Sequence, residues 1–139
     1  MMSLHKKLRS ESGASAVEFA LLLPVLMMIL FGIIEFGLAL HRQAILTNAS
    51  REGARLGIVL SVPPITTGQI NTAINTYLTS AGITPGSVTR NSPFPGVGGV
   101  TGTPVTVTLT LPYTYVVLPG LTSITPSINL VATTVMRHE

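Results

Sequence analysis

The hydrophobic pattern changes character along this 139-residue chain. From Ala14 to Leu40 apolar residues follow one another almost without a break, and Phe19 to Ile34 carries no charge at all. Glu18 and Glu35 bound that core. With its flanks the stretch exceeds the ~20 residues that cross a bilayer as a helix, and hydrocarbon leaves a lone segment no other way to satisfy its backbone. Pro24 falls inside it. Its missing N–H and its clash with the carbonyl of Ala20 predict a bend in the early turns. From His41 to Leu60 the composition stays helical, until Pro63-Pro64 stops it. The pattern predicts one long helix over about 14–60, with a transmembrane part at 14–40 and a helical stalk at 41–62.

Beyond the prolines the pattern turns to short elements. Thr66-Thr67-Gly68-Gln69 reads as a capping box, with Thr66 as the cap. Ile70, Ala73, Ile74, Tyr77, Leu78 and Ala81 then recur at helical spacing, and Gly82 suits a C-terminal stop. Residues 84–103, rich in Gly, Pro, Ser and Thr, read as a flexible loop. The glycines of "GVGGVTG" match neither dinucleotide nor P-loop spacing. "PVTVTLTLP" alternates strictly, with Val105, Val107, Leu109 and Leu111 on one side, and is the clearest strand. Tyr113–Leu118 and Ser127–Arg137 read as two more, split by a turn at Pro119-Gly120. The predicted fold class is therefore α+β and membrane-anchored. A long N-terminal transmembrane and stalk helix leads into a small domain, 63–139, of one amphipathic helix and a three-stranded antiparallel sheet. Such a core is small and calls for support from the stalk or from neighbouring subunits.

Composition sharpens this picture. Hydrophobic residues make up 46% and charged ones 9%, far below the ~25% charge of an ordinary soluble domain. A membrane accounts for the surplus apolar surface. The net charge of +3 does not indicate nucleic acid. Lys6, Lys7 and Arg9 form a basic head before the apolar run, the other arginines are scattered, and no basic stripe with interleaved aromatics exists. Cysteine is absent, so disulfides and thiolate chemistry are excluded. Aspartate is absent too, and past the membrane segment the only acids are Glu52 and Glu139. His41 and His138 are far apart, and nothing has metal-ligand spacing. No enzyme, cofactor, metal or small-molecule substrate is expected. His138-Glu139 reads as a solvated tail.

Glu18 is the position a simple anchor does not explain, because a carboxylate inside hydrocarbon is expensive. A cleaved secretory signal would offer Gly37-Leu38-Ala39 as its cut site, but its apolar region would be about twice the usual 7–15 residues. A plain signal-anchor explains the length and the basic head, yet neither Glu18 nor the Ser-Gly-Ala-Ser stretch. The third possibility rests on a resemblance. "ESGASAVEFALLLP" resembles the processing site of type IV pilin-like proteins, and "VEFALLLPVLMMILFGIIEFGLAL" followed by "NASREGARLGIV" resembles the TadE-like pseudopilins of tight-adherence (Flp) pilus systems. The likeness is close over residues 10–59 and only architectural beyond.

That resemblance implies a basic prepilin-type leader at 1–13, cut between Gly13 and Ala14 by a prepilin peptidase at the cytoplasmic face. The mature chain then starts at Ala14, and Glu18 is its fifth residue. It implies assembly with other pilin-like subunits through the N-terminal helix, at Glu18, Phe19, Pro24 and Glu35. Two opposite charges in hydrocarbon favour pairing, so the freed amine of one subunit is a natural partner for Glu18 of another. Glu35 lies 17 residues further on, about 25 Å along a helix, and is expected at the opposite interface, snorkelling or paired with Arg42 of a neighbour. Gly32, Gly37 and Ala39 thin the helix there. Arg51, Glu52 and Arg55 lie on the stalk as a possible docking face, and Gly53 permits close packing. Lysines and arginines nearly tie across the span, so the leader decides topology: bacterial inner membrane, single pass, N-terminus cytoplasmic, C-terminal domain extracytoplasmic, with membrane lipid as a partner. The alternative is a monomeric membrane-anchored binding module.

Overall fold

A computed structural model describes residues 4–116 and 127–139, with side chains from residue 13 onward. Helix α1 runs from Leu4 to Gly57 and α2 from Thr67 to Ser80. A single 3-10 turn at Pro85–Ser87 leads to the short strand β1, Thr89–Arg90, and then come β2, Pro104–Thr114, and β3, Ser127–Arg137. The sheet order is β1-β2-β3, antiparallel throughout. This is the expected α+β plan of a long apolar helix, a second helix and a three-stranded sheet.

The strands differ in membership from the expectation. Tyr113 does not open a new strand; it continues β2 past Pro112, opposite Ile128. The first strand comes instead from the stretch expected to be loop, where Thr89 pairs with Thr110 and Arg90 with Leu109. β1 therefore covers β2 only near those two residues. At Pro112 one side of β2 is open, and a missing N–H is tolerated on an open edge. The Asn91 side chain extends this thin edge by donating to the Thr106 carbonyl and accepting from the Thr108 N–H. The expected turn at Pro119-Gly120, the end of the strand expected at 113–118 and the basic head Lys6, Lys7 and Arg9 lie outside the described residues or side chains.

Alternation decides which face of the sheet is inside. Val105, Val107, Leu109, Leu111 and Tyr113 of β2 are buried, as are Leu130 and Ala132 of β3. Thr106, Thr108 and Thr110 lie on the outer face, opposite Val135, Thr133 and Val131. The inner face packs on both helices. α2 presents Ile70, Ile74 and Leu78, each fully buried. Its ends are as the sequence foretells. The Thr66 side chain accepts from the Gln69 N–H while Gln69 Oε1 accepts from the Thr66 N–H. At the other end the N–H groups of Gly82 and Ile83 return to the carbonyls of Thr79 and Leu78, with Gly82 at φ +75°. This double closure needs a left-handed residue, which glycine supplies cheaply.

α1 is part of the same core. Glu35, Ala39, Leu46, Ala49, Ser50, Gly53, Ala54 and Gly57 are its buried positions, and their spacing marks one helical face. Gln43 Nε2 donates to the Val131 carbonyl at 2.8 Å, and Ser50 Oγ lies 2.7 Å from Thr134 Oγ1. The expected close packing at Gly53 is present. A Cβ there would lie 2.7 Å from Ile74 Cδ1 and 2.8 Å from Cγ1; at Gly57 it would lie 2.9 Å from Val105 Cγ1. Gly53 and Gly57, one turn apart, form the trough that seats α2. Gly53→Val is expected to destabilise the domain by about 2 kcal/mol or more through overpacking, read as a lowered denaturation midpoint in detergent.

Candidate functional site

The site is a succession of features along α1. From Val17 to Ile34 its large apolar side chains lie on the surface, with Phe19 61%, Leu21 71% and Ile33 66% exposed. A bare greasy rod of this kind is stable only in lipid or against other apolar helices. Residues 14–34 span ~31 Å at 1.5 Å per residue, the thickness of a hydrocarbon core. Glu18 is exposed on this rod. Pro24 lies within the continuous helix, beside the exposed Leu23 and Val25.

At Glu35 the surroundings change. This residue is 2% exposed. Its Oε1 accepts from the Tyr113 hydroxyl at 2.6 Å, and both carboxylate oxygens accept from the Val116 N–H, at 2.9 and 3.0 Å. Glu35 therefore clamps the end of β2 onto the helix, just past the stretch from Val17 to Ile34. These partners come from its own chain. The reason is geometric: β2 runs back along α1 and brings Tyr113 and Val116 down to the level of Glu35. Tyr113 also meets Tyr115 edge-on, with ring centroids 5.8 Å apart.

Burial, then the hydrogen bond to Glu35, pushes the Tyr113 hydroxyl up from 10.0 to about 12. The folded state thus holds its proton where the unfolded chain has lost it, so stability falls as pH rises from about 10 to about 12. A two-unit shift corresponds to roughly 2–3 kcal/mol. Denaturation midpoints should fall across that window in the wild type and fall less in Tyr113→Phe.

Further along α1, Arg51 is exposed and Arg55 forms a two-point ion pair with Glu52, at 2.7 and 3.1 Å. These side chains lie away from the Gly53–Gly57 trough. An exposed pair of this kind contributes little stability. At the far end His138 is not a solvated tail: it is 3% exposed. Its Nδ1 lies 2.9 Å from the Ile58 carbonyl and its Nε2 3.1 Å from that of Gly96, while its backbone N–H donates to Thr103. The chain end is stitched between two loops, leaving only Glu139 outside. Among the described residues no group of three or more His, Asp or Glu is placed to hold a metal.

The fold and the bare rod define the class: a helix long and apolar enough to span a membrane, carrying a small α+β head clamped to its exit. Residues 13–55 match the model of the family described as TadE-like protein. The matched segment is α1 from Gly13 almost to its end, so the similarity lies in the helix and not in the head domain. No curated protein and no solved structure matches the chain.

Sequence reasoning singled out Glu18, Glu35 and the Arg51–Arg55 stretch. It missed Tyr113 and Val116 as partners of Glu35, and it missed His138. Nothing local marks Tyr113, since only the fold of β2 brings it to a residue 78 positions earlier.

Proposed function

We propose that this chain is a minor pseudopilin-type structural component of a bacterial tight-adherence (Flp) pilus or a related secretion apparatus. The observation that carries this is the TadE-like match over residues 13–55. In this account a prepilin peptidase cuts between Gly13 and Ala14, and the trimmed chain stays in the inner membrane with its head domain outside the cytoplasm. Its exposed helix then packs against other pilin-like subunits, with Phe19 and the Pro24 region in the contact. Glu18 pairs with the freed amine of a neighbour and sets the axial register. The exposed Arg51 and Arg55, with Glu52, offer a polar docking face on the head. The role is structural and assigns no catalysis to any residue.

Two charges paired in hydrocarbon are each costly alone. Glu18→Ala should therefore leave membrane insertion intact and lower co-purification with pilin-like subunits by more than about tenfold, the equivalent of ~1.4 kcal/mol. Normal co-purification of the variant would remove the pairing from the account.

A further inference from the structure

The apolar surface of the rod does not stop at the clamp. It continues into a groove of about 320 Å³ between α1 and the tip of the β2–β3 pair. Gly32, Phe36 and Ala39 line the helix side; Tyr115, Ile128 and Leu130 line the sheet side. Glu35 also borders it, but the carboxylate oxygens are engaged by Tyr113 and Val116, so the walls present almost only carbon. We infer that this groove takes one acyl chain of a bilayer lipid from the leaflet nearest the head domain, an inference that rests on the membrane-anchored reading above.

Three observations favour lipid over other occupants. The groove begins at Gly32, inside the 14–34 stretch whose length matches the hydrocarbon core, so its lower end opens at acyl-chain depth. It is continuous with the exposed apolar surface of the rod, through Ile33 and Phe36, 66% and 65% exposed. Its volume is at the small end of ligand pockets, which suits a single flexible chain better than a helix about 10 Å across. The head domain is then seated in the membrane surface rather than held above it, with Tyr115 and Ile128 touching lipid.

The chain has no tryptophan, so single tryptophans report cleanly. The full chain is reconstituted in phosphatidylcholine vesicles whose acyl chains carry bromine, a contact quencher. Leu26→Trp reports the span, Ile128→Trp and Tyr115→Trp the groove, and Val135→Trp the outer face of the sheet. Both groove probes should lose emission in the same proportion as Leu26→Trp, while Val135→Trp loses none. If Ile128→Trp disturbs folding, Tyr115→Trp, aromatic for aromatic, carries the test. Groove probes that behave like Val135→Trp while Leu26→Trp is quenched would overturn the inference. An unquenched Leu26→Trp would overturn the membrane reading itself. Groove quenching that appears only when the protein is diluted in lipid would identify a second copy as the occupant and overturn the lipid assignment.

Discussion

Glu35→Ala is expected to lower the melting midpoint of the head domain by more than about 10 °C, the largest loss from any single truncation along α1. The substitution removes the acceptor for the Tyr113 hydroxyl and the Val116 N–H, and leaves a buried donor behind. The two donors that lose this acceptor cost about 1–3 kcal/mol each when left unpaired, so the sum is about 2–6 kcal/mol, and each kcal/mol moves the midpoint of a domain of this size by about 4–8 °C. Glu35→Gln keeps one oxygen in place and should lose markedly less. Thermal melts in detergent followed by circular dichroism read the difference. A double-mutant cycle with Tyr113→Phe should return a coupling between about 0.5 and 3 kcal/mol. Additive losses would mean that the two residues do not hold each other.

Gly96→Ala is the second large effect, and its origin is backbone geometry. Gly96 has φ +86° and faces the Pro104 peptide so closely that a Cβ would collide with the carbonyl oxygen and lie 2.7 Å from the carbonyl carbon. Neither atom can swing aside as a side chain would. The residue would also need a left-handed backbone, at about 1–2 kcal/mol. Moving the loop to relieve the overlap pulls the Gly96 carbonyl from His138. The expected loss is more than about 3 kcal/mol, since overpacking alone costs about 1–3. Gly102 is the internal control: its φ is +87°, but a Cβ there meets open space. Gly102→Ala should therefore lose only the left-handed strain. Urea denaturation of both variants separates the collision from the strain.

Local patterns were legible in the sequence, and distant pairings were not. The capping box at Thr66 and Gln69, the stop at Gly82 and the alternation from Val105 to Leu111 are each written within a few residues, and each is found. Close packing at Gly53 was foreseeable because a mid-helix glycine costs about 1 kcal/mol and calls for a compensating contact; its counterpart Gly57 escaped notice at the helix end. Pro112 misled, because proline marks a strand break unless one side of the strand is open, and that depends on how short β1 is. Glu35 was recognised as anomalous, but its partners within the chain were not foreseen. Its partners are a phenol and a backbone N–H brought close only by the return of β2. His138 left no signal at all, since its ring partners are carbonyls of Ile58 and Gly96, which any residue type could have supplied.

The exposed rod and the clamp fit together as one device. Apolar side chains from Val17 to Leu40 need lipid or neighbouring helices, and the clamp at Glu35 fixes the head domain to the upper part of that surface. In the proposed assembly the same helix carries both subunit contacts below and the head domain above, so register set at Glu18 is transmitted rigidly to the docking face at Arg51 and Arg55.

The most direct check is the mass of the N-terminal peptide of the protein isolated from cell membranes. A mature chain beginning at Ala14 is the expected result. A chain that retains Met1 to Gly13, or one that begins near Leu40, would contradict it.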